Sequence, residues 1–233
     1  GLSCSIYHEG PEFVYSADHF LKYLQYDHQK NAGIGAATLK PMLLTFMGCA
    51  VVMIIYTVIV CVHHRISPAL FVKKLLPTFI IALTTASSSA AFATNIGTCE
   101  EKLGIDKKIV NFGLPLGQSV FMPAAAVVFF SMGICMAETF RVPITAIMLV
   151  NLFIISLVLA IAAPPVPGGF AVCITILITQ LGIPETAIPI VIALSVILDF
   201  PCTATNLFCL QAELTELAGD LAMLDTEKLG KAS

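Results

Sequence analysis

Apolar runs long enough to cross a bilayer alternate along this chain with shorter apolar runs that stop at polar or proline-rich interruptions. Residues 1–40 are polar and aromatic and predict no assigned element. Pro41 to Val62 is an uncharged run of 22 residues, and a spanning helix needs only about 20 to cross a hydrocarbon core of ~30 Å. It predicts a simple span closed by His63, His64 and Arg65, which read as an interfacial anchor rather than as chemistry. Over residues 66–99 the apolar arm Leu75 to Leu83 halts at Thr84-Thr85-Ala86-Ser87-Ser88-Ser89, and a second short arm runs from Ala90 to Ile96. Each arm is too short to span, so the segment predicts a re-entrant hairpin with a serine-rich tip, tolerated only where protein or a cavity covers its backbone.

The same order then repeats. Residues 110–136 are long enough to cross but are interrupted at VFMPAAA by Pro123, which predicts a broken span with freed carbonyls near mid-membrane. Residues 142–181 form a second hairpin whose tip, Pro164 to Gly169, holds three prolines and two glycines and cannot be helical. Residues 186–210 predict a second broken span, interrupted at Pro201. Hairpin, broken span, hairpin, broken span is a tandem of two related units, and paired interrupted segments in two halves point to a transporter's midplane site. Charge agrees with an inverted pair: the loops on one side carry Arg65, Lys73, Lys74, Lys102, Lys107 and Lys108 and those on the other carry Arg141. This bias places the base of the first hairpin and the tail, residues 213–233, in the cytoplasm, and opens the second hairpin from outside.

Composition sharpens the class. With 58% hydrophobic and 12% charged residues and a mean hydropathy of +0.92, the chain is an all-α multi-pass membrane protein rather than a soluble domain. A formal charge of −3 confined to tails and loops offers no nucleic-acid surface. Eight cysteines without a CxxC pair read as buried small hydrophobes. His8, His19 and His28 share no helix face and read as exposed loop residues.

Chemistry concentrates in Ile190 to Leu210, where Asp199 is a lone carboxylate among otherwise uncharged residues. An ionisable group at that depth costs several kcal/mol and faces protein or water, usually with a partner. Cys202, Thr203, Thr205 and Asn206 follow it, with Thr203 and Asn206 a turn apart. The group predicts a pocket for a solute or an ion; a buried structural aspartate satisfied by neighbouring helices is the alternative.

TTASSSAAFAT at the first tip, NFGLPLGQSVFMPAAA in the first broken span, VPGG at the second tip and VILDFPCTATN in the last span together resemble the dicarboxylate/amino acid:cation symporter family. The resemblance covers residues 41–212, the C-terminal half of that glutamate-transporter fold, and implies a transport domain belonging to a longer chain. It implies that Ser87, Ser88 and Ser89 hold a substrate carboxylate, that Val166, Pro167 and Gly168 form an outer gate, and that Asp199 receives a substrate amino group. Thr203 and Asn206 fall on polar substrate and cation neighbours. Cys202 stands where acidic-substrate members carry arginine, which resembles neutral amino-acid members and removes a cation for a second carboxylate. Ala125 and Phe170 alter the pocket relative to the family.

The family's Asn-Met-Asp-Gly-Thr reads Phe121-Met122-Pro123-Ala124-Ala125 here, and its late aspartate is Leu210. Sodium prefers oxygen ligands, and Gly117, Ser119 and Asn206 remain as donors. The expectation is a secondary transporter of a small carboxylate-bearing solute, a neutral amino acid or a dicarboxylate, in a plasma membrane. It needs no cofactor, is coupled to Na+ or H+, and by resemblance is a homotrimer through scaffold helices outside this chain. The alternative is a passive channel or an uncoupled relative of the same fold. An intramembrane serine protease built on Ser87 to Ser89 finds no histidine base in the second half, so the chain is not expected to be an enzyme.

Overall fold

The computed structural model describes residues 33–163 and 169–231, with the side chains of 33–37 left aside. Every regular element among them is helical, apart from one isolated bridge between Ile105 and Leu224. Helix α1 is Gly33–His64, α2 is Pro68–Thr85 and α3 is Phe92–Gly97, which runs on into a π-helical turn at Thr98–Lys102. Then come α4, Lys107–Val120, and α5, Pro123–Thr139. Helices α6, Ala146–Ala162, and α7, Gly169–Gln180, precede a 3-10 turn at Glu185–Ala187. Finally α8 is Ile188–Asp220 and α9 is Thr226–Gly230.

Helix α2 and the segment after it form a hairpin. Thr78 meets Thr98 at 3.1 Å between hydroxyls, and Lys74 Nζ donates to the Lys102 carbonyl at 2.7 Å. Both pairs are symmetric about Ser88, so the chain reverses at the serine tip. Ala86 turns the corner in the left-handed region, at φ 48°, with its N–H on the Ala82 carbonyl. A non-glycine residue there is strained, and surrounding structure must hold it.

Two apolar clusters lie end to end along α8. Its first part, from Ile190 to Cys202, packs with α5, α6 and α7. Its second part, from Ala204 to Ala218, packs with α2, α4 and the returning arm of the first hairpin. The base of the first hairpin sits at the C-terminal end of α8, where the Asp225 N–H donates to the Gly104 carbonyl at 2.8 Å. Gly104 has φ +77°, and a Cβ there would stand 2.6 Å from the Asp225 carbonyl oxygen, so only glycine fits. The α7 arm leads through Glu185–Ala187 into the N-terminal end of α8. The first hairpin therefore meets α8 at its C-terminal end, while α7 leads into its N-terminal end.

Four differences from the sequence pattern have physical causes. The segment 186–210 is not broken at Pro201: α8 is continuous for 33 residues, with Pro201 inside it. Packing on α1, α2, α4, α5 and α7 outweighs a proline penalty of about 3 kcal/mol. The first helix begins at Gly33, ahead of Pro41, so residues 33–40 belong to it. Glu213 to Asp220 continue α8 with Leu214, Thr215 and Ala218 buried, so this part of residues 213–233 is core rather than tail. Lys73 and Lys74 are helical rather than loop residues, and Lys74 is buried, its ammonium held by the carbonyls of Lys102 and Lys228.

Candidate functional site

The junction of the two clusters holds a cavity of about 580 Å³. The helix break creates one wall. Helix α4 ends where the Phe121 N–H bonds the Gly117 carbonyl at 2.8 Å, and α5 starts at Pro123. Proline suits a first helical position because its missing N–H would have no partner there. The next donor, the Ala124 N–H, is capped from another helix by Asn206 Oδ1 at 2.9 Å. Asn206 thus ties α8 to the break.

Ser87, Ser88 and Ser89 line the cavity, and so do Asp199, Cys202, Thr203 and Asn206. The tip is preset by local bonds: Ser87 Oγ accepts from the Ala90 N–H at 3.2 Å, and Thr85 Oγ1 accepts from the Ser87 N–H at 3.3 Å. Thr203 Oγ1 donates to Asp199 Oδ1 at 3.2 Å, orienting the carboxylate four residues back on the same helix face. Cys202 is buried, and its sulfur accepts from Asn206 Nδ2 at 3.6 Å. From the end of α6 and the start of α7, Ala163 and Phe170 reach the same space, and Phe170 stacks on Phe129 with ring centroids 4.8 Å apart. Ala125 also lines it. Val166, Pro167 and Gly168 lie outside the described residues.

Among the described residues lining the cavity Asp199 is the one charged group, with no Lys or Arg beside it. Such a site accommodates a solute with one cationic end, with hydroxyls available for an anionic one; a second carboxylate would meet no cation.

Each of the three residues considered for sodium has a polar atom in a hydrogen bond. The Gly117 carbonyl is taken by the Phe121 N–H, and Ser119 is exposed with its hydroxyl on the Pro115 carbonyl at 3.1 Å. Asn206 spends its oxygen on Ala124. Gly117 instead gives room to Leu210, whose Cδ1 lies 2.2 Å from where a Cβ would stand. The apolar residue at 210 therefore fills the space where a side chain at 117 would stand.

Sequence reasoning missed two polar features. Gln118 lines the cavity, and its Nε2 is buried without a hydrogen-bond partner. A second cluster ties the first hairpin to α8: Gln211 Nε2 donates to Thr78 Oγ1 at 3.0 Å and to Asn95 Oδ1 at 2.7 Å. Glutamine and asparagine inside apolar runs were the available signal, since polar groups there need partners.

The profile of the sodium:dicarboxylate symporter family matches residues 28–210, most of the chain. This chain belongs to the sodium:dicarboxylate symporter family. It is 30% identical over 153 residues to neutral amino acid transporter A of Homo sapiens, covering 66% of this chain and 29% of that protein. It is 31% identical over 142 residues to excitatory amino acid transporter 1 of Rattus norvegicus, covering 61% and 26%. An excitatory amino acid transporter of Caenorhabditis elegans is 29% identical over 140 residues, covering 60% and 28%. The chain thus spans less than a third of the length of these relatives. These relatives are transporters, not enzymes. Four helical stretches, Thr38–His64, Pro68–Thr85, Lys107–Thr139 and Glu185–Asp220, are long and apolar enough to cross a membrane. With these helices and this family, the chain is a multi-pass plasma-membrane protein. His64, the last histidine in the sequence, packs against Gly219 and Glu216 rather than facing the serine tip.

Proposed function

We propose that these residues form the substrate-holding part of a secondary active transporter for a small carboxylate-bearing solute, with a neutral amino acid favoured over a dicarboxylate. One observation carries the preference: among the described residues the cavity joins a serine-rich tip to a single acid and is lined by no base. The amino group of the solute pairs with Asp199, and its carboxylate takes hydroxyls of Ser87 to Ser89, with the Gln118 amide as a further donor. The relatives named as neutral and excitatory amino acid transporters fit this solute class. The two hairpins are re-entrant, and the domain carries its solute as a rigid body. Apolar side chains left exposed on α1 and α6, such as Ile54 and Ile147, offer surface to lipid and to neighbouring helices. A homotrimer remains the assembly that resemblance implies.

Coupling is to a cation. Gly117, Ser119 and Asn206 each have a polar atom in a hydrogen bond, which weighs against the sodium set read from the sequence and leaves a proton, carried by Asp199 in the steps in which no solute amino group is paired with it. The same observation supports a second reading, an uncoupled conductor of this fold. The protein from its complete reading frame, reconstituted in liposomes, separates the two. Saturable counterflow of a labelled amino acid driven by a pH gradient supports proton coupling. Ohmic conductance without counterflow supports the channel, and uptake indifferent to both pH and sodium gradients rules out coupling.

A further inference from the structure

We propose that His63, His64 and Glu216 form a binding site for a divalent transition-metal ion, Zn2+ by preference, at the junction of α1 and α8. The three residues each offer a ligand atom, and these atoms all lie within 4.8 Å of one another. They come from the last turn of α1 and from a position 153 residues further along. His63 Nδ1 bonds Glu216 Oε2 at 2.5 Å. The second pair is the informative one. His64 Nε2 and Glu216 Oε1 stand 3.3 Å apart, both buried and neither with a hydrogen-bond partner. Two ligands of a tetrahedral zinc ion, each ~2.0–2.1 Å from the metal, are separated by about 3.3 Å.

The set is also supported and reachable. The His64 side chain is only 8% exposed, and its ring lies against Gly219, with Cε1 2.4 Å from the place a Cβ would occupy. Any larger residue at 219 would push the imidazole out of position. His63 is 55% exposed and stacks on His64 with centroids 4.8 Å apart, so one ligand opens to solvent and gives an ion a path in. Two imidazoles and a carboxylate select borderline metals over Mg2+ or Ca2+, which prefer oxygen. Three protein ligands leave a fourth position for water. Binding replaces the hydrogen bond between His63 and Glu216 and ties the end of α1 to the half of α8 that carries the first hairpin.

The test is Zn2+ binding to the purified protein, measured by equilibrium dialysis and by the rise in melting temperature, with Mg2+ as control. Wild type is expected to hold a stoichiometric Zn2+ ion and to gain stability by mass action, with no response to Mg2+. His63→Gln, on the exposed ring, and Glu216→Gln are each expected to weaken binding by at least about tenfold. His63→Gln keeps the proposal testable if changes at the buried His64 impair folding. Unchanged Zn2+ affinity in His63→Gln overturns the site, because any binding would then belong to other residues such as His8, His19 and His28. A wild type that responds to Zn2+ no more than to Mg2+ overturns it as well.

Discussion

Asn206 is the most exacting place to perturb the account, because one side-chain oxygen caps a helix that begins in the middle of the domain. Substitution by alanine removes the 2.9 Å bond to the Ala124 N–H, and Ala124 is fully buried. A lost cap costs about 0.5–2 kcal/mol, and an orphaned buried donor costs about 1–3 kcal/mol; these describe one loss from two sides, so about 2 kcal/mol is expected. For a chain of this length each kcal/mol moves the melting temperature by about 2–4 °C. Asn206→Ala is therefore expected to melt roughly 4–8 °C lower. The chain has no tryptophan, but its seven described cysteines are free and buried, so a thiol-reactive fluorophore reports unfolding. Asn206→Asp retains an acceptor and sets negative charge at the N-terminus of α5, worth about 0.3–1 kcal/mol. It should melt within about 2 °C of wild type. Equal losses in the two variants, or no loss in Asn206→Ala, would refute the capping argument.

Other expectations follow from the same geometry. Lys74→Met leaves the Lys102 and Lys228 carbonyls without their ammonium. It should cost about 2 kcal/mol and speed proteolytic clipping at α9, read by mass spectrometry. Gln211→Leu removes the amide donor that bridges Asn95 and Thr78 and should destabilise by about 1–3 kcal/mol in the thiol assay. Gly133→Val places a side chain where Leu152 Cδ1 is already 2.5 Å from the Cβ position. Overpacking of about 1–3 kcal/mol is expected, and Leu152→Ala should relieve it non-additively in a double-mutant cycle. Ser88→Cys should react with a small hydrophilic thiol reagent and be protected by a bound amino acid, while the seven described, buried cysteines stay inert.

The helical class was legible because apolar runs and their interruptions are composition written in order. Asp199, Cys202, Thr203 and Asn206 were legible as a group because polar residues at helical spacing in an apolar run have few places to face. Pro201 misled for a physical reason: local propensity predicts a break, while contacts with five other helices keep α8 continuous through it. Asn206 was recognised as a polar site residue, yet its role as a cap depends on Ala124, 82 residues away. The Gln211 network and the His63, His64 and Glu216 cluster were hidden for the same reason. Each joins residues more than a hundred positions apart, and periodicity along one helix carries no information about its neighbour.

The central claim is that a carboxylate-bearing amino acid sits between the serine tip and Asp199. It is tested most directly by titrating the purified protein with a panel of neutral amino acids and C4-dicarboxylates, comparing wild type with Asp199→Asn. Saturable binding of a neutral amino acid that Asp199→Asn weakens by about tenfold or more is the predicted result, since a charge-assisted bond is worth about 1.5–3 kcal/mol. Equal affinity in the two proteins, or binding of dicarboxylates alone, would contradict it.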